Sequence, residues 1–211
     1  MDMFGHDMEG IRAKKRQLRS GLLEARRGLT AAERQVAADA LAGIVRELPS
    51  VRNGGTVAAY VSMGSEPGTH ELIRALHRRG TRVLLPVLLP DNDLDWAPYE
   101  GQDTLAPTPR GLLEPVSHRL GPESVLQADT ILLPGLAVDA RGVRLGRGGG
   151  SYDRVLSRLD RSDARPQLVV LLYAHEVVDA VPREPHDHLV DAAVTPSGIR
   201  RFARSRRVAK E

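Results

Sequence analysis

Four short apolar runs constrain this fold most: TVAAYVS (56–62), TRVLLPVL (81–88), DTILLPG (129–135) and QLVVLLY (167–173). Their continuous apolar character predicts strands buried on both faces, as in a parallel sheet. Between the first two, Thr69 is the expected cap of a helix running through 79, with Leu72, Ile73 and Leu76 inward and Gly80 just past its end. Strand, helix and strand in that order predict a crossover and a parallel pair. Two helices are expected ahead of the first strand, over 8–28 and 31–48. Gly28 would stop the first, Thr30 with Glu33 forms a capping box for the second, and Pro49 lies just beyond it. Residues 92–99 predict a short strand, 100–123 a Pro-rich irregular wrap, 139–142 a turn and 189–195 an edge strand. No internal repeat is visible. The sum is one α/β domain over 1–211, an open, mostly parallel sheet flanked by helices, with 1–9 and 203–211 as frayed tails.

Composition removes several function classes. Cysteine is absent, so disulfides and thiolate metal sites are excluded and a reducing cytoplasm is the expected compartment. No apolar run approaches the ~20 residues of a membrane span, and the acidic opening MDMFGHDMEG predicts no secretory leader. With a net charge of +3 and 3% aromatics, the chain gives weak support to nucleic-acid binding through Arg12, Lys14, Lys15, Arg16 and the basic tail.

The run RLGRGGGSYDR (144–154) carries the chemistry. Gly146, Gly148, Gly149 and Gly150 lack Cβ, so their N–H groups can close in on a ligand, and a concave row of amides attracts oxyanions. Tyr152, Val155, Leu156 and Leu159 recur at helical spacing, which places a helix start near Ser151 with its own free N–H groups. Arg144 and Arg147 add charge in a fork suited to phosphate. Asp153 is repelled by phosphate unless a cation lies between, the usual place of Mg²⁺. A glycine run also suits a plain loop. Three known patterns are excluded. No Lys-Ser or Lys-Thr follows the glycines, the third glycine of a dinucleotide fingerprint is missing, and Asp153 stands where a nucleophile elbow needs glycine.

Other candidates are weaker. At about 100° per residue from Ile11, Lys15 falls within about 40° of the apolar stripe formed by Leu18, Leu22, Ala25 and Leu29, and Arg19 sits at its edge. Two readings stay open for Lys15: a stem on the core with its head in water, or a cation aimed at an anion. Glu66 follows the first strand, where open parallel sheets bind ligands. In His186-Asp187-His188, neighbouring side chains point apart, so Asp187 acting with Asp153 suits Mg²⁺ better than the trio together.

PGLAVDARGVRLGRGGGSYDR (134–154) closely resembles the signature of the 5-formyltetrahydrofolate cyclo-ligase family, and KRQLR (15–19), AYVSMGSEPGT (59–69), RGLLEP (110–115) and EPHDHLVDAAVT (184–195) follow in family order. The resemblance implies a Rossmann-like sheet of the sugar-phosphate isomerase/CoA-transferase type. It also implies ATP- and Mg²⁺-dependent closure of 5-formyltetrahydrofolate to 5,10-methenyltetrahydrofolate through a phosphorylated formyl group. By the same resemblance, Lys15, Arg16, Gln17, Leu18 and Arg19 match the motif that contacts ATP phosphates. Arg144, Leu145, Gly146, Arg147, Gly148, Gly149, Gly150, Ser151 and Tyr152 match the ATP loop, and its stretch from Arg147 to Ser151 also meets the folate. Glu66, with Val61 and Met63 beside it, matches the group that recognises the pterin ring, and Asp153 and Asp187 match the Mg²⁺ acids. Arg147, Lys15 and Arg19 are then the candidate catalytic cations. The implied partners are ATP and a small folate, with no nucleic acid or membrane, in a monomer. Ser151 departs from the family, which shows a second tyrosine there, and Arg110 stands where some members carry an aromatic.

Overall fold

The computed structural model describes residues 3–185 and 187–203. In chain order these form α1 (Met3–Gly28), α2 (Ala31–Arg46), α3 (Pro49–Arg52), β1 (Thr56–Ala58), α4 (His70–Arg78), β2 (Arg82–Leu88), β3 (Leu94–Pro98), β4 (Leu105–Pro107), β5 (Leu113–Pro115), β6 (Thr130–Pro134), β7 (Ala137–Val138), β8 (Arg144–Leu145), α5 (Ser151–Asp160), β9 (Gln167–Leu171), β10 (Ala192–Thr195) and β11 (Gly198–Arg201).

Seven strands form the main sheet in the order β11-β10-β9-β6-β1-β2-β3. The five in the middle run parallel, with Val57 opposite Val83 on one side and Thr130 on the other, and Leu132 opposite Val169. The two edges, β3 and β11, are antiparallel. The apolar runs are continuous because both faces are covered. Val57, Val83, Leu85, Leu132, Val169 and Leu171 face α2, α3 and α4, packing on Leu41, Val45, Val51, Leu72 and Leu76. The alternate positions Ala58, Leu84, Ile131, Leu133, Leu168 and Val170 face α5 and Trp96, packing on Val155, Leu156 and Leu159. This two-residue alternation of faces is the pleat of a strand. A third, smaller cluster joins Leu22 of α1 to Leu136, Ala137, Val143 and Leu145 around the β7–β8 hairpin.

The order of strands places the site. From β1 the chain steps outward to β2 and β3, then returns to the other side of β1 for β6, β9 and β10. Where successive connections part, between β1 and β6, the carboxyl ends of the strands open a crevice.

Several expectations need correction. The first strand ends at Ala58 rather than 62, because Ser62 and Thr69 clasp each other. Ser62 N–H donates to Thr69 Oγ1 (2.9 Å), Thr69 N–H to Ser62 Oγ (3.0 Å), and the Thr69 hydroxyl donates to the Tyr60 carbonyl (2.6 Å). Thr69 therefore closes a loop and makes no side-chain cap on α4. The strand expected at the edge, β10, is interior. All four of its residues are buried, and β11 pairs along it. At the other end, α1 already starts at Met3, inside the span expected to fray. Of the tail expected over 203–211, residues 204–211 lie outside the described residues. The Pro-rich wrap contains the β4–β5 hairpin. The Thr30–Glu33 box forms as read, each partner's backbone N–H bonding the other's side chain.

Candidate functional site

A cavity of about 440 Å³ lies at the carboxyl ends of β1, β2 and β6, in the crevice just described. Tyr60, Val61, Met63 and Glu66 after β1 form one wall, and the glycine loop with the start of α5 forms another. Lys15 and Arg19 enter from α1, Glu184 and Asp187 from the loop before β10, and Leu112, Leu113 and Glu114 from the β4–β5 hairpin. Glu114 ties that hairpin to the end of β2 by accepting from Leu88 N–H (2.9 Å).

The glycine loop is held from behind. Gly148 (φ +94°) and Gly150 (φ +79°) are in the left-handed region that favours glycine. A Cβ on Gly146 would sit 2.9 Å from the Arg144 guanidinium. Arg19 Nε donates to the Gly146 carbonyl (2.8 Å). Arg154 is the first residue of α5 whose N–H bonds back to the loop, to Gly150 O, so the N–H groups of the first turn remain for a ligand. An anion here meets loop amides, a helix N-terminus and Arg19 together.

The cations differ in what they are free to do. Arg144 is almost fully buried. It donates to the Pro134 carbonyl (2.9 Å) and Asp153 Oδ1 (3.2 Å), bracing the loop against β6. Burial lowers its pKa, and Asp153 opposes that shift. Arg147 is half exposed and reaches across the cavity to Glu66 Oε1 (3.3 Å). Glu66 is 9% exposed and also accepts from Met63 N–H (2.9 Å). Lys15 neither snorkels nor stands free. It is 6% exposed, and its Nζ donates to Glu184 Oε2 (2.7 Å) and Asp187 Oδ2 (2.6 Å). Asp187 also accepts from Glu184 N–H (2.7 Å), which fixes that loop.

The structure thus gathers Lys15, Arg19, Val61, Met63, Glu66, Arg144 through Asp153, and Asp187 around one space. It does not bring in the rest of the first motif. Arg16 and Gln17 are exposed, and Leu18 packs into the cluster beneath α1. His188 turns away to Asp160 (2.6 Å), and His186 lies outside the described residues. Among the described residues no three His, Cys, Asp or Glu side chains cluster as a metal cage. Asp153 and Asp187 nevertheless line the same cavity, 61% and 17% exposed. Two carboxylates on the wall of one cavity match what Mg²⁺ takes from a protein, one or two carboxylates with its other positions filled by water and phosphate oxygens.

Sequence reasoning missed Tyr60, Glu114 and Glu184. A lysine on an apolar stripe needs a buried acid, but no spacing points to Glu184, 169 residues away. No helix among the described residues is long and apolar enough to cross a membrane.

Comparison with known proteins points to one family. The model of the 5-formyltetrahydrofolate cyclo-ligase family matches residues 11–196. The chain is similar to the 5-formyltetrahydrofolate cyclo-ligase of Mycolicibacterium smegmatis, 42% identical over 86% of this chain and 93% of that one. It is also similar to that of Escherichia coli K12, 35% identical over 82% and 96%. The solved 5,10-methenyltetrahydrofolate synthetase of Aquifex aeolicus superposes with a TM-score of 0.77 at 28% identity, covering 93% of this chain and 96% of that one. The Mycoplasma pneumoniae synthetase shares the fold, with a TM-score of 0.67 at 20% identity over 86% and 98%. A family match over residues 11–196, a relative 42% identical over 86% of the chain, and a shared open α/β sheet place this chain in the 5-formyltetrahydrofolate cyclo-ligase family.

Proposed function

We propose that this protein uses ATP and Mg²⁺ to close 5-formyltetrahydrofolate into 5,10-methenyltetrahydrofolate, releasing ADP and phosphate. One observation carries the reading: the glycine loop and Glu66 face each other across a single cavity, with Arg147 reaching between them. A phosphate end and a ring end are thereby set side by side, as a transfer from nucleotide to folate requires.

The triphosphate lies on the amides of Gly148 to Ser151 and the start of α5, with Arg19 and Arg147 beside it. Glu66 accepts N–H groups from the pterin ring, between Val61 and Met63. Asp153 and Asp187 would hold Mg²⁺, which when bound neutralises phosphate oxygens next to these carboxylates. Lys15 keeps Asp187 in place. A formamide oxygen is a poor leaving group, so it is first phosphorylated: the formyl oxygen attacks the γ-phosphorus and ADP departs. N10 then attacks the activated carbon and loses its proton, and phosphate leaves. No protein nucleophile is needed. The residues align the reactants and offset developing charge. Loss of one phosphate-facing cation lowers the rate on the order of 10²–10³-fold. The chain's lack of cysteine suits a reducing cytoplasm.

The test mixes the purified protein with 5-formyltetrahydrofolate, Mg²⁺ and ATP, following the methenyl chromophore and ADP together. Equal formation of both supports the reading. Folate-independent ADP, or tight binding of both ligands without turnover, overturns it.

A further inference from the structure

The contact between Arg147 and Glu66 crosses the cavity, and two tyrosines near that acid are unusual. Tyr60 is 5% exposed and lines the cavity, yet its hydroxyl is enclosed and has no hydrogen-bond partner among the described residues. The hydroxyl of Tyr152, on the opposite wall, is enclosed and unpartnered as well. Both phenols lie near Glu66. Burial first, and the Glu66 charge second, push each above the usual tyrosine range, so both remain O–H donors. Buried polar groups are rarely left unpaired without a functional reason. Two of them beside an acid that is itself only 9% exposed mark a polar subsite in the cavity wall.

The contact is weak and its donor has a better alternative. The pair spans 3.3 Å, and Arg147 is 53% exposed. Ion pairs this open to water contribute little. Arg147 also lies between Gly146 and Gly148, on the loop whose amides face the cavity. An anion on those amides offers the guanidinium bidentate bonds to phosphate oxygens, which are stronger than one long contact to a carboxylate.

We propose that the Arg147–Glu66 pair is a gate: the phosphates of the nucleotide draw Arg147 off Glu66, and that carboxylate, with Tyr60 and Tyr152 near it, is then free to take the folate ring. This rests on the reading of the site as an ATP- and folate-binding cavity. It makes the two ligands couple through one arginine, each strengthening the other. It also keeps the ring from settling before the phosphate donor is in place.

The experiment measures 5-formyltetrahydrofolate binding by calorimetry, with and without a non-hydrolysable ATP analogue and Mg²⁺, for the wild type and for Arg147→Met. Arg147 is exposed enough that this variant should fold, and its denaturation midpoint checks that. In the wild type the analogue should tighten folate binding by about 5-fold, the most that a pair this exposed can hold back. In Arg147→Met the ratio of the two affinities should fall to within twofold, whatever the absolute values. Inorganic triphosphate with Mg²⁺ should reproduce the wild-type coupling, because only the phosphates move the gate. A wild-type ratio within twofold, a ratio that survives in Arg147→Met, or coupling that needs the nucleoside would each overturn the gate. Absence of any folate binding to the wild type, with or without nucleotide, would instead overturn the functional reading beneath it.

Discussion

Gly149→Ala separates what the glycine loop does for the fold from what it does for a ligand. Gly149 is exposed, its φ lies outside the left-handed region, and a Cβ built on it meets nothing within 4 Å. The free protein therefore has no use for glycine at this position, and alanine should leave stability within about 0.5 kcal/mol of wild type. Gly148 differs. Its φ of +94° makes alanine strained, at about 1–2 kcal/mol. A phosphate cradled by the loop changes the outcome at Gly149, because a methyl group would hold the oxyanion off the amides. Loss of one charge-assisted hydrogen bond costs about 1.5–3 kcal/mol, and each 1.4 kcal/mol is about tenfold. Binding of a non-hydrolysable ATP analogue with Mg²⁺ should weaken by about 10- to 100-fold, read by calorimetry beside urea midpoints for both glycine variants. Wild-type affinity in a normally folded Gly149→Ala would refute the argument that these amides grip phosphate.

Other outcomes follow from the same contacts. Glu66→Gln should raise the folate KM by about 10-fold or more, through loss of a charge-assisted acceptor, while the ATP KM moves little; equal shifts in both would remove Glu66 from the ring end. Arg26, 1% exposed, donates to fully buried Glu176 and to the Gly135 carbonyl, pinning α1 to the end of β6. Arg26→Met strands a buried carboxylate and should cost about 3–5 kcal/mol in urea unfolding, most of it recovered by adding Glu176→Gln; a double variant no better than the single one contradicts this. Asp139 shapes the turn before the glycine loop. Burial works to raise its pKa, but the Arg141 side chain and the N–H groups of Val181, Val143 and Arg141 outweigh that and hold it below the usual range. A depressed carboxyl stabilises fully above its unfolded pKa of about 3.9 and loses that contribution as pH falls through its folded value. The stability gap between wild type and Asp139→Asn should accordingly be level at neutral pH and shrink in acid; a gap that widens in acid would be the wrong sign.

How much of this was legible follows from which interactions leave a local pattern. The interior strands were readable because burial on two faces forces continuous apolar runs. The start of α5 at Ser151 was readable because glycines end where Tyr152, Val155 and Leu156 begin their helical spacing. β11 was not readable, since Gly198–Arg201 is an exposed edge holding one aliphatic residue among charges. The hairpin over the cavity was hidden by its three-residue strands, each ending in proline. At the site, the glycine loop and Glu66 announced themselves by composition and position. The state of the cations did not. Arg144 and Arg147 look alike in the chain, yet one is buried against Pro134 and Asp153 and the other spans the cavity. Lys15 lay on a readable stripe, but its partners Glu184 and Asp187 come from a distant loop that only the fold brings near.

The central claim is that one cavity holds the triphosphate on the glycine loop and the folate ring against Glu66. A crystal structure with a non-hydrolysable ATP analogue, Mg²⁺ and 5-formyltetrahydrofolate tests it most directly. The expected result is phosphate oxygens within hydrogen-bond distance of the Gly148–Ser151 amides and the pterin N–H edge on Glu66, with the formyl oxygen facing the γ-phosphate. A triphosphate bound elsewhere, or a ring lodged away from Glu66, would contradict the account.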